Sequence, residues 1–192
     1  AMRDDIGCFD EELDGSAWCL RDYQQRAATR DYRTFLVPTA LVHSAPPLVF
    51  GSEERRNERE RLSQRTVLER WGTSQQFAVY FPQQTEPDHL KNALTVILAA
   101  ARRGHRFTLL LHHRQYQQAS EQGYRCLHTG IELISLARFG AGRDLRKWLQ
   151  KLSAEEPELS IVKGVDGIPV PGYDGTRQFS VIEDLLKGDA DA

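Results

Sequence analysis

The run His112-His113-Arg114 closes one of the most apolar stretches of this chain, RFTLLL. Imidazoles at the end of a strand can serve as general bases or metal ligands, and a guanidinium can fork to phosphate or carboxylate. Adjacent strand residues, however, point to opposite faces. The two histidines are therefore expected to diverge, one toward the edge of the core and one toward solvent. Cys126 and His128 could form a thiol–imidazole pair, but no third group is spaced to orient them, and a buried thiol is the simpler expectation. An α/β hydrolase or nuclease built on His112, His113 or Glu132 is the enzymatic alternative.

Other chemistries fail on residue type. Phosphoryl transfer to a receiver aspartate needs a carboxylate at a strand end, an acidic pair for Mg²⁺ and usually a lysine. The strand-end segments Tyr80-Phe81-Pro82-Gln83, His112-His113-Arg114 and Leu136-Ala137-Arg138 offer none of these. Glu86 and Asp88 come too late after the first strand, and Asp88 suits a helix N-cap better. Dinucleotide binding calls for Gly-x-Gly-x-x-Gly after that strand. The residues there are Pro-Gln-Gln-Thr-Glu-Pro, and no phosphate-binding Gly-x-x-x-x-Gly-Lys-Ser/Thr loop occurs. No catalytic residue, metal set or cofactor is expected. The Arg-x-x-Asp pattern that holds cyclic dinucleotides is missing, and Arg-x-x-x-Arg, though present at Arg26–Arg30, Arg55–Arg59, Arg61–Arg65 and Arg102–Arg106, has no specificity in so arginine-rich a chain.

The elements that must position these residues form an alternation. FAVYF (77–81), RFTLLL (106–111) and IELISL (131–136) are apolar runs, the first continuous, as buried parallel strands are. Between and after them, Leu90, Leu94, Ile97, Leu98 and Ala101, then Tyr116, Ala119, Tyr124 and Leu127, then Leu145, Trp148, Leu149 and Leu152 follow helical spacing. LSIVKGV after Pro157 predicts one more strand, and FSVIEDLL a closing helix. The predicted fold class is α/β: a degenerate receiver-like (flavodoxin-like), doubly wound sheet over 76–192. A helix over 51–75, opened by Ser52, is expected as a linker. Its 5 Glu and 6 Arg between Glu53 and Arg70 nearly cancel and predict a solvated face. Residues 1–50 read as a small β-containing extension, with SAWCLRDY and TFLVPTALV as short strands, the second interrupted by Pro38.

Composition bounds the class. The chain has 192 residues, 40% hydrophobic and 27% charged, with a net charge of −2, so nothing pulls it as a whole toward nucleic acid. Three cysteines lack metal-ligand spacing and read as reduced cytosolic thiols. The longest apolar run, Ala93 to Ala101, is too short to span a bilayer. The acidic start is not a secretion signal, so a cytoplasmic protein without membrane insertion is expected. Ala1 ahead of Met2 reads as a cloning remnant, and the chain as a piece of a longer protein.

One ordered set of segments carries a likeness. DGSAWCL, TALVHSAPPL, the polar helix, ERWGTSQQFAVYFPQQ and RCLHTGIELISLARFGAGRDLRKWLQ, from Asp14 to Leu152, resemble the receiver-like region of the BcsE family of bacterial cellulose biosynthesis regulators. Trp18, Ala45-Pro46-Pro47-Leu48 and Gly130 are among the local identities. The resemblance implies a regulatory or scaffolding role, without catalysis, in a cyclic di-GMP-responsive cellulose secretion system. It implies other cellulose synthase complex proteins as partners. In that family the main ligand motif, Arg-x-Gly-Asp, belongs to a neighbouring domain, and no such tetrad occurs here. A second motif can come from the receiver-like domain itself. The corresponding stretch here, Gln118-Ala119-Ser120-Glu121-Gln122, has lost both charged positions. Arg114 is the nearest cation, and any direct contact with cyclic di-GMP is expected there.

Overall fold

The computed structural model describes residues 2–13, 17–34 and 52–187. The chain divides into two compact units, residues 1–73 and 74–192.

The described part of the first unit is helical: α1 (Met2–Ile6), α2 (Ala17–Thr29) and α3 (Glu53–Trp71). This corrects one expectation. Of SAWCLRDY, the described residues Ala17 to Tyr23 are not a strand but the first turns of α2. Its Trp, Cys and Tyr suggest β structure, yet Leu20, Arg21, Gln24, Gln25, Arg26 and Ala27 are helix formers. Cys19, Asp22, Tyr23, Arg26 and Ala27 recur at helical spacing and line the inward side. The strand expected over TFLVPTALV lies outside the described residues, apart from Thr34.

The helix read as a linker over 51–75 is bonded into this unit. Ser52 caps α3, its hydroxyl accepting from the Arg55 N–H. At the other end Arg70 and Trp71 both donate to the carboxylate of Asp22, at 2.6 and 2.9 Å. Arg26 donates to the second oxygen at 2.8 Å. Asp22 is fully buried. A charge removed from water is tolerated only when its lone pairs are met, and here three donors meet them.

The second unit is α/β, with β1 (Gln76–Tyr80), α4 (Pro87–Arg102), β2 (Arg106–His112), α5 (His113–Glu121), β3 (Ile131–Leu136), α6 (Ala141–Glu155), β4 (Ser160–Lys163) and α7 (Ser180–Lys187). Asp88 falls in the first turn of α4, behind Pro87, and Glu86 holds the cap position expected for it. The second helix is shorter than its apolar spacing suggests. Gly123, in the left-handed region at φ 80°, ends it and leads into a 3₁₀ turn at Tyr124–Cys126.

All strand pairs are parallel, in the order β3-β2-β1-β4. The crossovers β1-α4-β2 and β2-α5-β3 move one way across the sheet; β3-α6-β4 moves back. Right-handed crossovers place helices on opposite faces when the direction reverses, and the two cores obey this. Phe77, Val79, Phe107, Leu109 and Leu111 pack with Leu94 and Ile97 of α4 on one face. Ala78, Tyr80, Leu110 and Ile134 pack with Leu145 and Leu149 of α6 on the other. Covering on both sides explains why the three strands read as apolar runs with few polar breaks.

Layers and parallel pairing are compatible with a flavodoxin-like fold. The neighbour order is not the 2-1-3-4-5 of receivers: β1 lies between β2 and β4, and β3 lies outside β2, as in the first four strands of the other doubly wound order, 3-2-1-4-5-6.

Candidate functional site

Open parallel sheets bind ligands outside the carboxyl ends of their strands, where the winding direction reverses. Here that point lies between β1 and β4. The chain is tightly packed at that point. The N–H of Gly164, just past β4, donates to the Tyr80 carbonyl at 2.7 Å. A Cβ on Gly164 would sit 2.5 Å from Cδ1 of Phe81 and 2.7 Å from the Tyr80 oxygen. Both Phe81 and Gly164 are buried. His89 of α4, itself exposed, reaches the same backbone, its Nε2 lying 2.9 Å from the Gly164 carbonyl. A carbonyl only accepts, so that nitrogen carries the proton.

Beside this contact, β1 and β2 are tied by a polar network. Gln115, buried in the first turn of α5, donates its amide to the Pro82 carbonyl at 2.7 Å and accepts from the His112 N–H at 3.0 Å. Thr85 returns its N–H and hydroxyl to the same Pro82 oxygen. His112 Nε2 lies 3.1 Å from the Tyr80 hydroxyl. Burial pushes the Tyr80 phenol up from its usual range and the His112 imidazole down. Both groups are thereby held neutral, and Tyr80 can donate to the imidazole.

The histidines diverge, but through a change of element rather than along one strand. His112 ends β2 and His113 begins α5. Glu132 pairs with Thr108, whereas His112 pairs with Leu136. Four residue pairs, about 13 Å at about 3.3 Å per residue, separate Glu132 from the rim. The three residues of the hydrolase or nuclease alternative are not brought together. His128 accepts the Gly130 N–H at 3.0 Å through Nδ1, which fixes a local turn.

Arg114 is exposed in the first turn of α5, where the helix dipole opposes a cation. Farther along the rim, Ala137 donates its N–H to Asp144 at 2.8 Å. Arg138 lies 5.7 Å from the centre of the Phe139 ring, and Phe139 is 86% exposed. Among the described residues no group of His, Cys, Asp and Glu is placed to hold a metal ion. No described helix is long and apolar enough to cross a membrane.

Sequence reasoning missed Tyr80, His89, Gln115 and Gly164. Only Gly164 left a signal: a lone glycine at the end of an apolar strand marks a close backbone approach.

No family model, curated protein or solved structure matches the chain.

Proposed function

We propose that this chain is a non-catalytic regulatory or scaffolding module with a receiver-like α/β fold. It serves a cyclic di-GMP-responsive system of cellulose biosynthesis and secretion and works by contact with other cytosolic proteins of that machinery. The observation that supports a contact role is the tightly packed reversal point. Gly164 and Phe81 are packed in contact, with His89 bonded to the Gly164 carbonyl, beside the position that doubly wound folds give to a ligand, and Gln115 ties the adjacent strand ends together. The cellulose assignment rests on the sequence likeness from Asp14 to Leu152. Cyclic di-GMP reaches this system through a neighbouring Arg-x-Gly-Asp domain rather than through Arg114.

The test is reconstitution. The purified chain should co-elute with cytosolic components of the cellulose synthase complex, and deleting its coding segment in the host should lower cellulose secretion. Titration of the isolated chain with cyclic di-GMP should release no heat at micromolar ligand. Failure to co-elute, together with unchanged secretion, would overturn the reading.

A further inference from the structure

The two edges of the sheet are treated differently. Outside β4 the chain returns as one more extended segment: Lys163 donates to the Arg177 carbonyl at 3.0 Å and Arg177 to the Ile161 carbonyl at 2.9 Å. Outside β3 no backbone group pairs, among the described residues. β3 has six residues, Ile131-Glu132-Leu133-Ile134-Ser135-Leu136, with neither proline nor lysine. An edge of that kind is a template for another strand.

The ladder fixes what this edge offers. Phe107 pairs with Ile131 and donates to the Gly130 carbonyl. In a parallel ladder the even-numbered residues of β3 then turn their backbone groups toward β2, and Leu133 and Ser135 turn theirs outward. The Ile131 N–H is already committed to His128.

We infer that β3 pairs antiparallel with β3 of a second copy of this chain, about a two-fold axis at Ile134. Leu133 then faces Ser135 of the other copy, and each such pair exchanges two hydrogen bonds. The register one step away, with Leu133 on the axis, would need the Ile131 donor that the His128 turn consumes. Charge selects the same register. Glu132 is the only charged residue of β3 and is exposed. Arg138, exposed in the bend two residues past the strand, comes diagonally opposite Glu132 of the other copy. Such neighbours sit about 7–8 Å apart between backbones, within reach of an arginine. Symmetry repeats this ion pair. The 86% exposed ring of Phe139 is carried to the other copy's turn at Thr129. Joined edges remove the exposed edge, as an isologous interface requires.

The experiment is sedimentation equilibrium on the full chain and on Glu132→Arg, Arg138→Glu and the double exchange. Both positions are exposed, and each variant is checked for an unchanged circular dichroism spectrum. The wild type should show a reversible monomer–dimer equilibrium. Either single reversal should weaken it by about tenfold, and the double exchange should restore it to within about threefold. Amide exchange at Leu133 and Ser135 should slow as protein concentration rises. A chain that stays monomeric, a dimer indifferent to the reversals, or a dimer whose Leu133 and Ser135 amides exchange as in the monomer would overturn the inference. None of these results bears on the cellulose assignment.

Discussion

Gly164 lies against the ring of Phe81 so closely that a single added carbon would overlap Cδ1 at 2.5 Å. The contact locks β4 to β1 at the one place where the winding of the sheet reverses. A hydrogen bond of 2.7 Å from the Gly164 N–H to the Tyr80 carbonyl holds it there.

Gly164→Ala should therefore lower stability by about 1–3 kcal/mol, because neither the Tyr80 backbone nor a fully buried ring can yield cheaply. The midpoint of urea unfolding measures it. An unchanged midpoint would mean that the contact is loose and the crevice open to ligands.

Gln115→Ala removes both partners that Gln115 supplies. Pro82 keeps the N–H and hydroxyl of Thr85, so the main loss is the acceptor of the His112 N–H. A cost of about 1–3 kcal/mol is expected for leaving that donor unsatisfied. The amide of His112 should also exchange faster.

His112 should titrate below about 6.5 when followed by imidazole proton shifts, since burial disfavours its charged form. The unfolded chain binds the proton more readily, so stability is full above the unfolded value. It declines as pH falls through that value and levels off below the folded one. His112→Gln should flatten this part of the pH–stability profile; a profile that keeps its slope would refute the assignment.

Asp22 obeys the opposite sign. Burial alone would raise its carboxyl, but the hydrogen bonds from Trp71, Arg70 and Arg26 outweigh burial and hold it below the ordinary range. Its contribution is present above about 3.9 and is lost as pH falls through the depressed folded value. Asp22→Ala takes one partner from Arg26, which keeps the Ile6 and Cys8 carbonyls, and one from Arg70, which keeps Asp10, and it removes the acceptor of the Trp71 N–H. It should cost the helical unit about 3 kcal/mol, the low end for a broken buried pair because Arg70 is partly exposed. The indole N–H resonance of Trp71 should move with the same acid transition.

The strand runs at 77–81, 106–111 and 131–136, the stripes of α4 and α6, and the closing helix were legible in the residues themselves. Each depends on periodicity within a short window, and burial on both faces leaves an unmistakable apolar run. SAWCLRDY misled because aromatic residues inside a polar helix imitate a strand when read without neighbours. Two of the three donors to Asp22 could not be read at all, because they stand 48 and 49 residues away, whereas Arg26 stands four residues on in the same helix. The expectation that reactive groups do not converge on the rim came from residue types, and the placement of Glu132 far down β3 was added by the register.

What the sequence determined alone is the alternation of strands and helices, because hydrophobic spacing and helix-terminus chemistry act over a few residues. What only the tertiary structure decided is the return of β4 to the side of β1, the packing of Gly164 on Phe81 and the burial of Asp22. Those depend on which distant backbone groups find partners once water is excluded, and no local pattern encodes that choice.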